Sequence, residues 1–312
     1  MPKSILLTGT TGFIGTNLVN ALTLKSDLII KSVVRRAVNE GDELSFEVGE
    51  INASTDYRLA LNNTNIVIHC AARAHVASHA TVDSLAQFRA VNTEGTLNLA
   101  QQAAEAGVKR FIFLSTIGVH GISNTKPFLI NDTPAPVEDY AVSKLEAEIG
   151  LKKIAEETGM EVVIIRPPLV YGSNAPGNFG KLAKLASKNL PLPFGAVKNL
   201  RSLVAVDNLV DLIITCIDHP KAANQTFLVS DDHDVSTSEL LHAMTLAAGK
   251  KPRLLPIPMS WLYLAGKLTG KKVIIDRLCG SLQVDINHTK EMLDWKPSVS
   301  FNDGIQKCFD KE

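Results

Sequence analysis

The sequence predicts an α/β fold: a doubly wound parallel sheet with a smaller C-terminal lobe. Three observations carry this. Short β-branched runs alternate with longer helical patterns through about residue 170. A glycine-rich turn follows the first run directly, and after Tyr171 the alternation loosens into Gly, Pro and Asn.

Taken in order, the strand runs are "SILLTG", "DLIIKSVV", "NIVIHCAA", "RFIFLST" and "EVVIIRPP". They are apolar without strict alternation, as strands covered on both faces are. Between them, "FIGTNLVNALTL", "AVNTEGTLNLAQQAAEAG" and "YAVSKLEAEIGLKKIAEETG" read as helices, the last two closing at Gly107 and Gly159. Beyond Tyr171, "GSNAPGNFG" and "NLPLPFGAVKN" flank one short helix. The helix of "VDNLVDLIITCIDH" and the strand of "NQTFLVSD" are expected to return to the main sheet, and residues from about 235 build the small lobe. The division is therefore 1–172 for the sheet domain and 173–312 for the lobe, with segments around 203–230 rejoining the sheet. Within the lobe, "IPMSWLYLAGKLTGKK" reads as a packing helix. The alternative is a face that lies on a membrane or a partner.

Composition narrows the function. Thirty-two basic side chains balance 32 acidic ones, so there is no long-range field for nucleic acid and any anion must be bound locally. The run in "MPKSILLTG" is too short for a signal-peptide core. The longest apolar stretch, "SLVAVDNLVDLIITCI", is broken by Asp207, Asn208 and Asp211, so no integral membrane segment is expected. Cys70, Cys216, Cys279 and Cys308 form no C-x-x-C pair, which reads as reduced thiols of a cytoplasmic protein. None of the eight histidines has metal-ligand spacing with a partner, and no metal is expected.

Gly9, Gly12 and Gly15 stand three apart between the first strand and the first helix. Unpaired N–H groups at such a helix start suit a pyrophosphate, and a dinucleotide is the natural occupant. In this reading Gly9 permits the turn, Gly12 lets backbone approach the phosphates, and Gly15 lets helix and strand pack. The second strand ends not in an acid for a ribose 2′-hydroxyl but in Arg35 and Arg36. A basic pair there favours a 2′-phosphate, hence NADP over NAD. Two solvated arginines are the alternative.

Tyr140 and Lys144 are four apart in "YAVSK" and so share a helix face. An ammonium beside a phenol favours phenolate and a lowered pKa, as a general base needs. Upstream, "FLSTIGVHG" ends a strand with Ser115 and Thr116.

With the glycine turn, the Ser-Thr pair and Tyr-x-x-x-Lys in this order, the chain resembles the extended short-chain dehydrogenase/reductase family, in particular its nucleotide-sugar epimerases, dehydratases and reductases. The resemblance extends over "TGTTGFIGTNL", "HCAA", "VNTEGTLNL", "FLSTIGVHG", "YAVSK" and "RPPLVYG". It implies a Rossmann-like fold and a catalytic set of Tyr140 as base, Lys144 as its tuner and ribose holder, and Thr116 with Ser115 beside it. It implies an NAD or NADP site made by Gly9, Gly12, Phe13, Ile14, Gly15, Arg35, Arg36, Ala71, Ala72, Asn92 and Pro167 together with Tyr140 and Lys144. Asn92 has a competing role in stabilising a helix bend, and His69 reads as a satisfied core or cofactor-lining histidine.

For the substrate, a UDP-sugar, the resemblance points to Thr116 and Tyr140 at the sugar and to Arg201 and Arg277 at the diphosphate, where a planar guanidinium fork suits phosphate oxygens. Asn174 and Asn178 follow from the loop after "VYG". Family dehydratases carry an acidic pair beside the catalytic Ser or Thr. Here Ile117 and Gly118 follow Thr116, which disfavours elimination and leaves hydride transfer at C4. The expected activity is a UDP-hexose or UDP-N-acetylhexosamine 4-epimerase, with an NADPH-dependent 4-keto-6-deoxy sugar reductase as the alternative. A non-catalytic NADP sensor would have no need of Tyr140 and Lys144. A homodimer through long helices is common in the family.

Overall fold

The computed structural model describes residues 2–36, 43–74 and 83–310. Strand β1 (Lys3–Thr8) turns at the glycines into α1 (Phe13–Thr23), and β2 (Leu28–Val34) and β3 (Ser45–Glu47) follow. A short α2 (Arg58–Leu61) leads to β4 (Ile66–His69). Next, α3 (Ser84–Phe88) passes through a π-helical stretch, Arg89–Gly95, into α4 (Thr96–Glu105) and β5 (Arg110–Leu114). The long α5 (Asp139–Thr158) and β6 (Glu161–Arg166) complete this half. Gly107 and Gly159 lie at φ 79° and 77° just past α4 and α5, the left-handed geometry that ends helices at glycine.

The second half is more broken. It runs through β7 (Leu169–Tyr171), α6 (Gly177–Ser187), β8 (Arg201–Ala205), α7 (Val206–Asp218), β9 (Thr226–Leu228) and β10 (Asp234–Val235). Then come α8 (Thr237–Ala247), α9 (Met259–Leu268), α10 (Lys272–Cys279), α11 (Asn287–Leu293) and α12 (Phe301–Lys307). A capping box starts α8: the Ser236 hydroxyl accepts from Glu239 N and the Glu239 carboxylate accepts from Ser236 N.

The main sheet has seven strands in the order β3-β2-β1-β4-β5-β6-β9, all parallel. The doubly wound fold read from the sequence is therefore present, and "NQTFLVSD" does supply its last strand. Strand order reverses between β1 and β4, which opens a crevice at their C-terminal ends. A second sheet, β10-β8-β7, has β7 parallel and β10 antiparallel to β8.

Alternate side chains of each central strand enter different cores. Ile5, Leu7, Ile66, Ile68, Ile112, Val163 and Ile165 pack with α1 and α7, whereas Leu6, Val67, Phe111, Phe113, Val162 and Ile164 pack with α4 and α5. Both faces being apolar, these strands appear in the sequence as unbroken runs. The short strands β3, β7, β8 and β10 escape a sequence reading because two to five residues show too little period. The last residues are not all lobe: Leu293 and Trp295 belong to the main core, and Trp295 donates its indole N–H to Asp211 of α7 at 2.7 Å.

Candidate active site

The glycine turn is built as its spacing suggests, with one change. Gly9 has φ 75°, and a Cβ there would also lie 2.7 Å from Ala71 N, at the end of β4. Only glycine meets both demands. Gly12 is the N-cap of α1, without a side-chain cap, so the first-turn N–H groups of Phe13, Ile14 and Gly15 have no intrahelical acceptor. A Cβ on Gly15 would come within 2.0 Å of Gly9 O. Gly15 thus packs the helix against the turn itself rather than against the strand. The Phe13 ring turns the other way, toward Gly172.

A recess of about 600 Å³ opens over this turn, lined by Gly9, Gly12, Arg35, Ala71 and Ala72 among others. Glu50 and Ile51 also line it. The sequence reading missed both, because the three-residue β3 that leads into them is too short to signal. Arg35 and Arg36 are exposed, and of the two only Arg35 borders the recess. The cradle of free N–H groups at a glycine-lined crevice fits a dinucleotide pyrophosphate.

Beneath the crevice, Ala71 N donates to Thr8 Oγ1 at 3.2 Å. Thr8 Oγ1 lies 2.7 Å from His69 Nδ1, and His69 Nε2 lies 2.9 Å from Thr96 Oγ1. Both ring nitrogens of His69 are thus hydrogen-bonded, the protonated one donating and the other accepting. Burial holds His69 down at about 3, so it is neutral. It is the satisfied core histidine expected of it.

The chemistry-bearing groups sit at the C-terminal ends of β5 and β6 and in the first turns of α5. Gly118 is packed so close that a Cβ would meet Ala141 Cβ at 3.3 Å and Thr116 Oγ1 at 3.4 Å. The loop carrying Thr116 is thus laid on the helix that carries Tyr140. Thr116 Oγ1 accepts from Gly118 N at 3.1 Å and keeps its own hydrogen to donate. Ile117 N donates to Pro167 O at 2.9 Å, tying this loop to the one after β6, with Pro167 acting through its backbone.

Lys144 is fully buried. Its ammonium donates to Leu114 O at 2.8 Å and lies 4.4 Å from the centre of the Phe113 ring. Burial lowers it to about 8, with Cys70 and Glu148 pulling the other way. The Tyr140 phenol is pushed up to about 12 by burial, against the lowering that the Tyr-x-x-x-Lys spacing suggests. Desolvation penalises phenolate directly, whereas Lys144 spends its charge on a carbonyl and a ring face.

Two further candidate residues have protein partners. Ser115 donates its hydroxyl to Glu148 inside a buried cluster in which Arg166 reaches Glu148 at 3.0 and 2.5 Å and His120 Nε2 at 2.7 Å. Its hydroxyl hydrogen is directed there, whereas the Thr116 hydroxyl hydrogen has no acceptor among the described residues and faces the loop–helix junction. Asn92 lies in the π-helical stretch, fully buried. Its Oδ1 accepts from Arg73 N at 2.8 Å, and its Nδ2 donates to Arg73 O at 3.0 Å and to Ser143 Oγ at 3.1 Å. With these partners Asn92 braces the β4 loop against α5, the helix-bend role that competes with cofactor binding.

Arg201, the first residue of β8, donates to Arg277 O at 2.6 Å and Gly280 O at 3.0 Å. The structure thus brings together the two arginines assigned to a diphosphate. Burial and the Arg277 charge lower the pKa of Arg201, so this cationic corner favours an anion. Arg277 in turn ion-pairs with Glu138, two residues before Tyr140. Asn174, at φ 60°, and Asn178, in the first turn of α6, are exposed. Among the described residues no group of three or more His, Cys, Asp or Glu side chains could hold a metal ion. No helix there is long and apolar enough to cross a membrane.

Residues 5–230 match the model of the NAD-dependent epimerase/dehydratase family. A Vibrio cholerae protein named UDP-glucose 4-epimerase is 58% identical over 311 residues, which is 98% of this chain and 94% of that one. A 4-epimerase of N-acetyl-α-D-glucosaminyl-diphospho-ditrans,octacis-undecaprenol from Escherichia coli O157:H7 is 27% identical, covering 91% of this chain and 88% of its own. Among solved structures, a Thermotoga maritima UDP-glucose 4-epimerase with UDP-glucose superposes with a TM-score of 0.78 at 24% identity, over 98% of this chain and 97% of that one.

Proposed function

From the premise that the chain belongs to the NAD-dependent epimerase/dehydratase family, we propose that it is a UDP-sugar 4-epimerase, with UDP-glucose the first substrate to test. The single observation that carries the reading is the 58% identity to the Vibrio cholerae UDP-glucose 4-epimerase along nearly the whole chain. A bound nicotinamide dinucleotide supplies hydride acceptance and return at a sugar carbon. In this reading Tyr140 moves the C4 hydroxyl proton and Thr116 donates a hydrogen bond to the same oxygen. Lys144 holds the nicotinamide ribose. Arg201 and Arg277 hold the diphosphate, between the sheet domain (1–172) and the lobe (173–312). The phenol at about 12 must come down for proton abstraction, and the positive charge of an oxidised nicotinamide acts in that direction.

The test is direct. Freshly purified protein is denatured, any released dinucleotide is identified by mass, and native protein is incubated with UDP-glucose and with UDP-N-acetylglucosamine without added cofactor. A C4-inverted product supports the epimerase; inert protein under these conditions rejects it.

One observation favours a second reading, an NADPH-dependent 4-keto sugar reductase. Arg35 borders the recess where a 2′-phosphate would need a cation, and an epimerase that retains NAD gains nothing from it. Arg35→Asp is expected to move preference from NADP(H) toward NAD(H). Unchanged relative affinities, measured by fluorescence titration, would make Arg35 a surface charge. The chain is further read as a homodimer through its long helices, where α5 leaves Ile149 exposed. A monomer in sedimentation velocity removes that part.

A further inference from the structure

The hairpin of α9 and α10 packs on the lobe by one side only. The buried side of α9 is Leu262 and Gly266, and Gly266 is pressed so closely on α10 that a Cβ would lie 2.8 Å from Ile275 Cγ1. On the opposite side stand Trp261, Leu264 and Leu268, exposed to 70%, 58% and 78%. Their i, i+3, i+7 spacing makes them one stripe. Past the turn at Gly270, which has φ 67°, Val273 and Ile274 of α10 are also exposed, to 63% and 52%. The lobe-packing reading of this segment holds for its inner side, where Ile257, Met259 and Leu262 join the lobe core with Ile275 and Leu278, and leaves the outer stripe exposed.

Charge decides what such a face suits. The chain as a whole is neutral, yet residues 250 to 277 carry seven basic side chains and a single acid, Asp276. Lys267, Lys271 and Lys272 flank the apolar stripe, all exposed. Lys272 is paired with Asp276 at 2.6 Å, and Lys267 and Lys271 have no ion-pair partner among the described residues. Lysines are depleted at the centre of protein interfaces. A tryptophan and leucines ringed by lysines on a short helix are what binds the headgroup layer of anionic lipid, where apolar side chains enter the acyl boundary and ammonium groups remain among phosphates.

We propose that the outward face of the α9–α10 hairpin docks on an anionic lipid surface. Arg277 lies in the last turn of α10 and is ion-paired with Glu138, so docking brings the arginine corner of the active site close to the bilayer while Trp261, Leu264 and Leu268 stay outside the catalytic machinery. The proposal does not depend on which sugar is turned over.

The full chain is sedimented with phosphatidylcholine vesicles containing 30% phosphatidylglycerol and with pure phosphatidylcholine vesicles, at low and high salt. Binding is expected to the anionic vesicles and to fall as salt rises. The variant W261S/L264S/L268S is expected to lose at least ten-fold in partitioning while its turnover of UDP-glucose without vesicles matches the parent. K267Q/K271Q/K272Q is expected to lose the preference for anionic lipid. A parent chain that stays in the supernatant overturns the proposal, as does a serine variant that sediments like the parent. So does a serine variant that turns a dimer into a monomer in sedimentation velocity, because the face would then be covered by a second copy.

Discussion

At the residue scale the site depends on two titrations that burial has moved in opposite directions. Tyr140 is raised to about 12 and Lys144 lowered to about 8, each toward its neutral form. Tyr140→Phe keeps the ring against Phe88, whose centre is 6.0 Å away, and removes the hydroxyl alone. A loss of about 10²- to 10⁴-fold in turnover is expected, the range for a positioned acid–base group, with UDP-sugar affinity retained in calorimetry. Near-normal turnover would remove Tyr140 from the mechanism.

Lys144 gives a pH test with two signs. Above about 8 the folded chain loses this proton while the unfolded chain keeps it up to its ordinary lysine value of 10.5. In that window the unfolded state binds more protons, so this group's contribution to stability rises with pH, at up to about 1.4 kcal/mol per pH unit. Cofactor affinity runs the other way, because the neutral amine no longer donates a charged hydrogen bond to the ribose. Dinucleotide titrations at pH 7 and pH 9 are expected to show weaker binding at the higher pH. Equal affinities would mean that Lys144 is not a ribose contact.

At the element scale, α5 is the helix on which the site hangs. Tyr140, Lys144 and Glu148 recur every four residues and so share a face. Glu148 fastens that face to the ends of β5 and β6 through Ser115 and Arg166, and it also supports the charge of Lys144. Glu148→Gln leaves the Arg166 guanidinium, 4% exposed, without its counter-charge. A destabilisation of about 3–5 kcal/mol is expected, the cost of a broken buried pair, read as a fall in urea midpoint. A midpoint unchanged within error would mean that the cluster carries no net stabilisation. The period that places Tyr140 and Lys144 on one face was legible in the sequence and extends to Glu148. What hid Glu148 was its partner: Arg166 is 18 residues away at the end of β6, and only the packing of α5 on the sheet makes them neighbours.

At the scale of the whole molecule, the candidate site draws on distant parts of the chain. Arg201 comes from β8 of the three-stranded sheet, Arg277 from the helical hairpin, and Tyr140 from the helix beside the main sheet. Arg201→Ala is expected to weaken UDP binding by about 1.5–3 kcal/mol, the scale of a charged hydrogen bond, with the released dinucleotide unchanged. Unaltered affinity in calorimetry would put the diphosphate elsewhere.

The sequence by itself determined the parallel sheet, the glycine turn and the Tyr-x-x-x-Lys helix, because each depends on short-range rules: β-branched runs, φ above zero at Gly9, and the period of a helix. It equally determined the neutral net charge. Tertiary structure alone decided that Ser115 turns into a buried carboxylate cluster, that Asn92 bonds the Arg73 backbone and Ser143, and that the phenol is raised rather than lowered, since desolvation and partner choice depend on what packs around a group. It also decided that Glu50 and Ile51 line the recess and that Trp261, Leu264 and Leu268 face outward. An apolar helix face has the same periodicity whether a core covers it or not, and only the packing of Leu262 and Gly266 on Ile275 fixes which side is left free.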